Sequence, residues 1–145
     1  ACGCFESYAS GTGIGSQVRK LLRDTAGYSG VLSKKPIDEI TSHDVFAALE
    51  ADDPIAIQVL DKAIELWGMA TANLVSLFNP EKIIFGGGVF GPASRFIPRI
   101  YAEACQWGQP ISMKQVEYRA SELQGEAALL GAAHLALRSL PKTEN

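Results

Sequence analysis

Apolar residues recur at spacings of three and four from Ile55 to Leu77, through Val59, Leu60, Ala63, Leu66, Trp67, Ala70 and Leu74. This is the period of a helix buried along one side. Asp53-Pro54 opens it, with Asp53 as N-cap and Pro54 at the first helical position. Asn79-Pro80 closes it, because proline cannot continue a helix and restricts the residue before it. At 1.5 Å per residue the element is about 36 Å long and must be central to the core. Small residues at Gly68, Ala70, Ala72 and Asn73 predict another backbone crossing close by.

The other elements fall around it. An earlier helical stripe of Tyr8, Ile14, Val18, Leu21 and Leu22, with Arg19, Lys20, Arg23 and Asp24 facing out, covers about residues 5–25. Ser10-Gly11-Thr12-Gly13 interrupts it, and two glycines so close together predict an approaching backbone or ligand. Residues 27–35 read as an exposed loop. Thr41 or Ser42 caps a short helix through Phe46 and Leu49, with Asp44 in its first turn and His43 as a capping or surface residue. Ile83, Ile84 and Phe85 form an apolar run without alternation, the pattern of a strand buried on both faces. A helix over residues 92–107 follows, with Pro98 as a kink or restart. Residues 113–118 alternate as a second strand, and a last helix begins at Gly125, its small residues predicting tight packing on the sheet. His134 on that helix reads as a packing histidine, and the polar tail after Leu140 as frayed. Helices followed by β–α–β–α specify an α/β layer with a small parallel sheet.

Composition narrows the class. A chain of 145 residues with 47% hydrophobic and 20% charged side chains has the length and apolar content of one globular domain. The net charge of -3, with lysines and arginines scattered, leaves no basic stripe for nucleic acid. No apolar run reaches the roughly 18–20 residues of a membrane span. Three cysteines suggest a reducing cytoplasm rather than a disulfide framework. The opening Ala-Cys-Gly-Cys-Phe-Glu reads as the interior of a motif, which predicts a piece of a longer protein. The long apolar helix and the neutral small-residue surfaces predict a homodimer.

The chemistry concentrates in two glycine-bearing stretches and one cysteine pair. Gly86-Gly87-Gly88, at the carboxyl end of the predicted strand, lets the backbone turn sharply and lets a flat ligand lie against the main chain. In open α/β sheets ligands bind outside the carboxyl ends of the strands. The same three glycines also suit an ordinary tight β–α turn, and they match neither the dinucleotide fingerprint nor the P-loop. Cys2 and Cys4, one residue apart, supply two of about four ligands that zinc needs. Cys105 reads as a core cysteine. Glu6 reads either as a ligand contact or as a solvated carboxylate at a helix start, and Glu126 as a helix cap. There is no Ser/His/Asp arrangement and no paired-carboxylate signature.

Cys-Gly-Cys-Phe-Glu-Ser-Tyr-Ala-Ser-Gly (Cys2 to Gly11), Asn-Pro-Glu-Lys-Ile-Ile-Phe-Gly-Gly-Gly (Asn79 to Gly88) and Leu-Leu-Gly-Ala-Ala (Leu129 to Ala133) occur in this order. Together they resemble the ROK family of sugar kinases, such as bacterial glucokinase, and related repressors. The resemblance implies an actin-like, ribonuclease-H-like ATPase fold whose two lobes close around a hexose and ATP with Mg2+. It places residues 1–145 in the C-terminal lobe, with the N-terminal lobe outside this chain. It implies nucleotide contacts at Ser10, Gly11, Thr12, Gly86, Gly87, Gly88 and Val89, a sugar contact at Glu6, and structural Zn2+ at Cys2 and Cys4. Cys2 stands where the family usually carries a non-ligand. The family's Asp-x-Gly-x-Thr phosphate segment, its Asn-Asp pair with the catalytic aspartate, and its Glu-x-Gly-His segment are absent from these residues. The resemblance therefore implies the nucleotide side of a hexose kinase, inactive when isolated. Its alternatives are the effector lobe of a repressor, the one case that brings nucleic acid, and a structural or dimerisation domain.

Overall fold

The computed structural model describes residues 3–139. Two short pieces open the chain, α1 (Glu6–Ala9) and α2 (Gly11–Asp24). Ser10 separates them with an extended backbone, and its Oγ accepts the Gly13 N–H at 2.9 Å as the N-cap of α2. Gly13 is the reason the two pieces can touch. A Cβ there would stand 2.3 Å from the Glu6 carbonyl oxygen, so only glycine admits the α1 backbone. The predicted loop at 27–35 contains a 3-10 turn, Val31–Lys34, and buries Leu32. Then come α3 (Ser42–Leu49) and α4 (Pro54–Phe78). His43 is exposed at the start of α3.

The 25-residue α4 begins and ends where its signals predict. Asp53 is 2% exposed and accepts four hydrogen bonds: Oδ1 from the Ile55 and Ala56 N–H groups, Oδ2 from the Val31 N–H and the Tyr28 hydroxyl. The cap thus also anchors the 28–31 segment. Asn79 ends α4 in the left-handed region at φ 42°, its N–H on the Val75 carbonyl. The main core lies between α2, α3, α4 and α5 (Ile97–Trp107), around Ile14, Val18, Val45, Leu60, Ile64 and Ile100. At the α4–α5 crossing a Cβ on Gly68 would lie 2.5 Å from Glu103 Cβ, the close approach that the small residues predict.

Strand β1 (Lys82–Phe85) pairs in parallel with β2 (Glu117–Ala120), Lys82 opposite Glu117 and Phe85 opposite Ala120. The crossover runs through a 3-10 turn at Pro92–Phe96, α5 and α6 (Pro110–Gln115). Pro98 stands in the first turn of α5, a restart rather than a kink. Four expectations are corrected. β1 is not buried on both faces: Phe85 is buried, but Ile84 is 67% exposed because the two described strands leave one face bare. The second strand starts later than expected, since Gln109 caps a helix at Pro110, its Oε1 accepting the Ser112 N–H at 2.8 Å. Cys105 is exposed, one position round the helix from buried Ala104. α7 (Ala127–Arg138) does not pack on the sheet. None of its residues is buried, His134 included, and Leu129, Leu130, Leu135 and Leu137 face outward. The predicted frayed tail after Leu140 lies outside the described residues. No helix among those described is long and apolar enough to cross a membrane.

Candidate functional site

The two strands end side by side, and the glycine turn leaves from that edge. Ser121 N–H donates to the Phe85 carbonyl at 2.7 Å, continuing the pairing one residue past the strands. Gly86 follows, facing Ser121 so closely that a Cβ would sit 3.3 Å from its Cβ. Gly87 has φ +83°, a conformation that side chains other than glycine rarely adopt. Gly88, Val89 and Phe90 then make a 3-10 turn, with the Phe90 N–H on the Gly87 carbonyl at 3.1 Å. A Cβ on Gly87 or Gly88 would meet no protein atom within 4 Å, so packing does not demand glycine at either. Gly87 is fixed by its backbone angle. Gly88 is fixed by nothing within the described residues, which suits a surface kept bare for a ligand.

The second predicted loop lies at the start of α2. Ser10 Oγ is committed to the cap, so its hydroxyl is a structural group first. Gly11 and Thr12 line a cavity of about 220 Å3 with Gly15, Arg19, Thr41 and Ser42. The starts of α2 and α3 converge here, with Ser42 Oγ 3.2 Å from where a Gly11 Cβ would be. Arg19 reaches across and donates from Nη1 to the Ile40 carbonyl at 2.6 Å. Asp44 serves the start of α3: its Oδ2 accepts the Thr41 N–H at 2.7 Å, and Lys35 Nζ lies 2.9 Å from it. The Lys35 ammonium holds the Asp44 carboxyl at about 2, below its ordinary 3.8.

One side chain joins the two loops. Trp67, 4% exposed on α4, donates from Nε1 to the Ala9 carbonyl at 3.0 Å, immediately before Ser10. Its ring centroid is 5.0 Å from that of Phe90, the last residue of the glycine turn. Phe90 lies 4.9 Å from Phe85, and Phe85 5.4 Å from Tyr118 on β2. Trp67 therefore links Ala9, the residue before the 10–12 segment, to Phe90, the residue after the 86–89 segment. In the sequence Trp67 stands out only as a stripe residue, and Arg19, Thr41 and Ser42 carry no signal that would link them to Gly11.

The remaining predicted residues stand apart. Glu6 is exposed in the first turn of α1. Cys4 is exposed and Cys2 lies outside the described residues. No group of three or more His, Cys, Asp or Glu side chains among the described residues is placed to hold a metal. Two neighbouring cysteines do not satisfy a tetrahedral zinc ion, so the described residues do not fit one. A larger groove, about 910 Å3 between α2, α4 and α5, contains none of the predicted residues.

The ROK family pattern matches residues 1–139. The chain belongs to the ROK family. A glucokinase from Halalkalibacterium halodurans is 31% identical over 133 residues, which are 92% of this chain and 40% of that protein. A ROK family glucokinase from Streptomyces griseus, solved with glucose and AMPPNP, superposes with a TM-score of 0.79 at 28% identity, over 96% of this chain and 46% of that one. A ROK family transcriptional regulator, a homolog of the E. coli MLC protein, gives 0.69 at 30% identity, over 81% of this chain and 29% of that one. This ROK chain thus has the actin-like, ribonuclease-H-like fold of the sugar kinases, and it spans less than half the length of these relatives.

Proposed function

We propose that this chain is the nucleotide-side, C-terminal lobe of an ATP-dependent hexose kinase that passes the γ-phosphoryl group to a sugar hydroxyl. The observation that carries the reading is that Trp67 ties Ala9, just before the start of α2, to Phe90 of the glycine turn that leaves the carboxyl end of β1. The likeness to glucokinases, one of them solved with a nucleotide analogue, supports it. Gly86, Gly87, Gly88 and Val89 offer a flat main-chain surface for the adenosine. Gly11 and Thr12, with the capped turn at Ser10, offer a helix start whose N–H groups suit negative charge. Glu6 would take the sugar. Mg2+ would arrive with the nucleotide, held largely by its phosphates.

Phosphoryl transfer requires in-line positioning, a metal on the phosphates and a base for the attacking hydroxyl. These loops present N–H groups, hydroxyls and a guanidinium, while Asp44 is held by Lys35 and Thr41. The chain positions; the base belongs to the N-terminal lobe. The 145-residue chain is accordingly expected to bind ATP without phosphorylating glucose. We also assign it to the cytoplasm, and to a homodimer supported by the apolar side chains left outside the core.

A second reading, the effector lobe of a transcriptional repressor, is favoured by the likeness to the MLC homolog. Calorimetric titration with ATP–Mg2+ separates them. Under the kinase reading the chain binds, and Gly87→Val abolishes binding while the chain stays folded. A folded chain that ignores ATP at millimolar concentration would favour the repressor lobe.

A further inference from the structure

Trp67 does more than fill the core. A buried indole N–H needs an acceptor, and here it takes a main-chain carbonyl at the end of α1 rather than a side chain. Its ring meanwhile lies against Phe90 at 49°, a tilted contact of the kind that aromatic pairs prefer. Leucine or isoleucine at this helix position would fill much of the volume but hold neither the Ala9 carbonyl nor the Phe90 ring in place. The indole is rigid, so a displacement of one loop reaches the other through a single ring. Because α4 is the longest and most central helix, the ring itself is held from behind by the core.

We propose that Trp67 is a positioning residue of the nucleotide site. Through Ala9 it sets the start of α2 at Ser10–Thr12, and through Phe90 it sets the turn at Gly86–Val89, so the two halves of the site move as one. This rests on the reading of those loops as the nucleotide site. Trp67 itself touches no nucleotide.

The chain has two tryptophans, and Trp107 is 56% exposed on the separate groove. Trp107→Phe therefore leaves Trp67 as the one indole reporter and disturbs neither loop. In that background ATP–Mg2+ is expected to change Trp67 emission. Trp67→Phe keeps a ring against Phe90 but removes the N–H, and should weaken ATP binding about fivefold, the worth of one hydrogen bond. Benzothienylalanine at position 67, with sulfur in place of the N–H, should reproduce that loss with the shape unchanged. Hydrogen exchange of the nucleotide-free chain should quicken at both 10–14 and 88–91 in either variant. Unchanged ATP affinity in the benzothienylalanine chain, or quickening confined to 10–14, would overturn the proposal. Failure of the reporter chain to bind ATP, with exchange quickened in both segments, would overturn the nucleotide reading while leaving the mechanical coupling intact.

Discussion

Gly13 and Gly87 are both glycines for a physical reason, but the reasons differ and so do their consequences. Gly13 is fixed by contact, its missing Cβ leaving room for the α1 carbonyls of Glu6 and Ser7. Gly87 is fixed by its positive φ alone, with open space around it. Gly13→Ala should therefore force α1 off α2 and cost about 1–3 kcal/mol, the usual range for overpacking, read as a lower melting temperature. A melting temperature equal to the parent's would show that the α1–α2 contact yields without cost. Asp53 and Tyr28 make a second residue-scale prediction. Burial first, and then the hydrogen bond to Asp53, pushes the Tyr28 hydroxyl from 10.0 to about 12. The folded chain thus keeps the phenol neutral where the unfolded chain ionises it. The resulting stability is fully present below pH 10 and is lost as the pH rises towards 12. Melting curves across that window should fall more steeply for the parent than for Tyr28→Phe. Parallel curves would mean that the Tyr28–Asp53 contact is absent in solution.

At the scale of elements, legibility followed how local the cause is. Asp53-Pro54 and Asn79-Pro80 bound α4 because caps and prolines act within a few residues. Thr41, one of the two cap candidates, marks the start of α3 for the same reason, whereas the interruption at Ser10-Gly11 proves to be the N-cap of a separate helix. The exposure of Ile84 has no local signature, because an apolar run says nothing about how many layers cover it. Apolar neighbours do not bury Cys105, because an adjacent residue lies about 100° away round a helix. The small residues of α7 resemble those of α4, yet Gly68 meets α5 while Gly131 meets nothing within 4 Å. Both glycine loops are visible as glycines, but the link from Ala9 to Phe90 through Trp67 is a tertiary event with no local trace.

Considered whole, the molecule packs two apolar clusters along α4 and leaves other apolar side chains bare. Leu77, Phe78 and Ile84 are 75%, 72% and 67% exposed, and Leu129, Leu135 and Leu137 on α7 are similarly bare. Exposed apolar surface of this kind marks an interface or an aggregation liability. The isolated chain should therefore self-associate with concentration in analytical ultracentrifugation, and the pair Leu129→Lys and Leu135→Lys should shift it towards monomer. A parent chain that stays monomeric at high concentration would contradict this. The central claim is that nucleotide binds at the carboxyl end of the sheet and not in the larger groove. Amide shift mapping of the 145-residue chain with AMPPNP and Mg2+ tests it most directly. The account predicts that the largest shifts cluster at residues 10–12 and 86–90 and reach the Trp67 indole N–H. Shifts clustered along Lys20, Lys62 and Trp107 in the groove, or none anywhere, would contradict it.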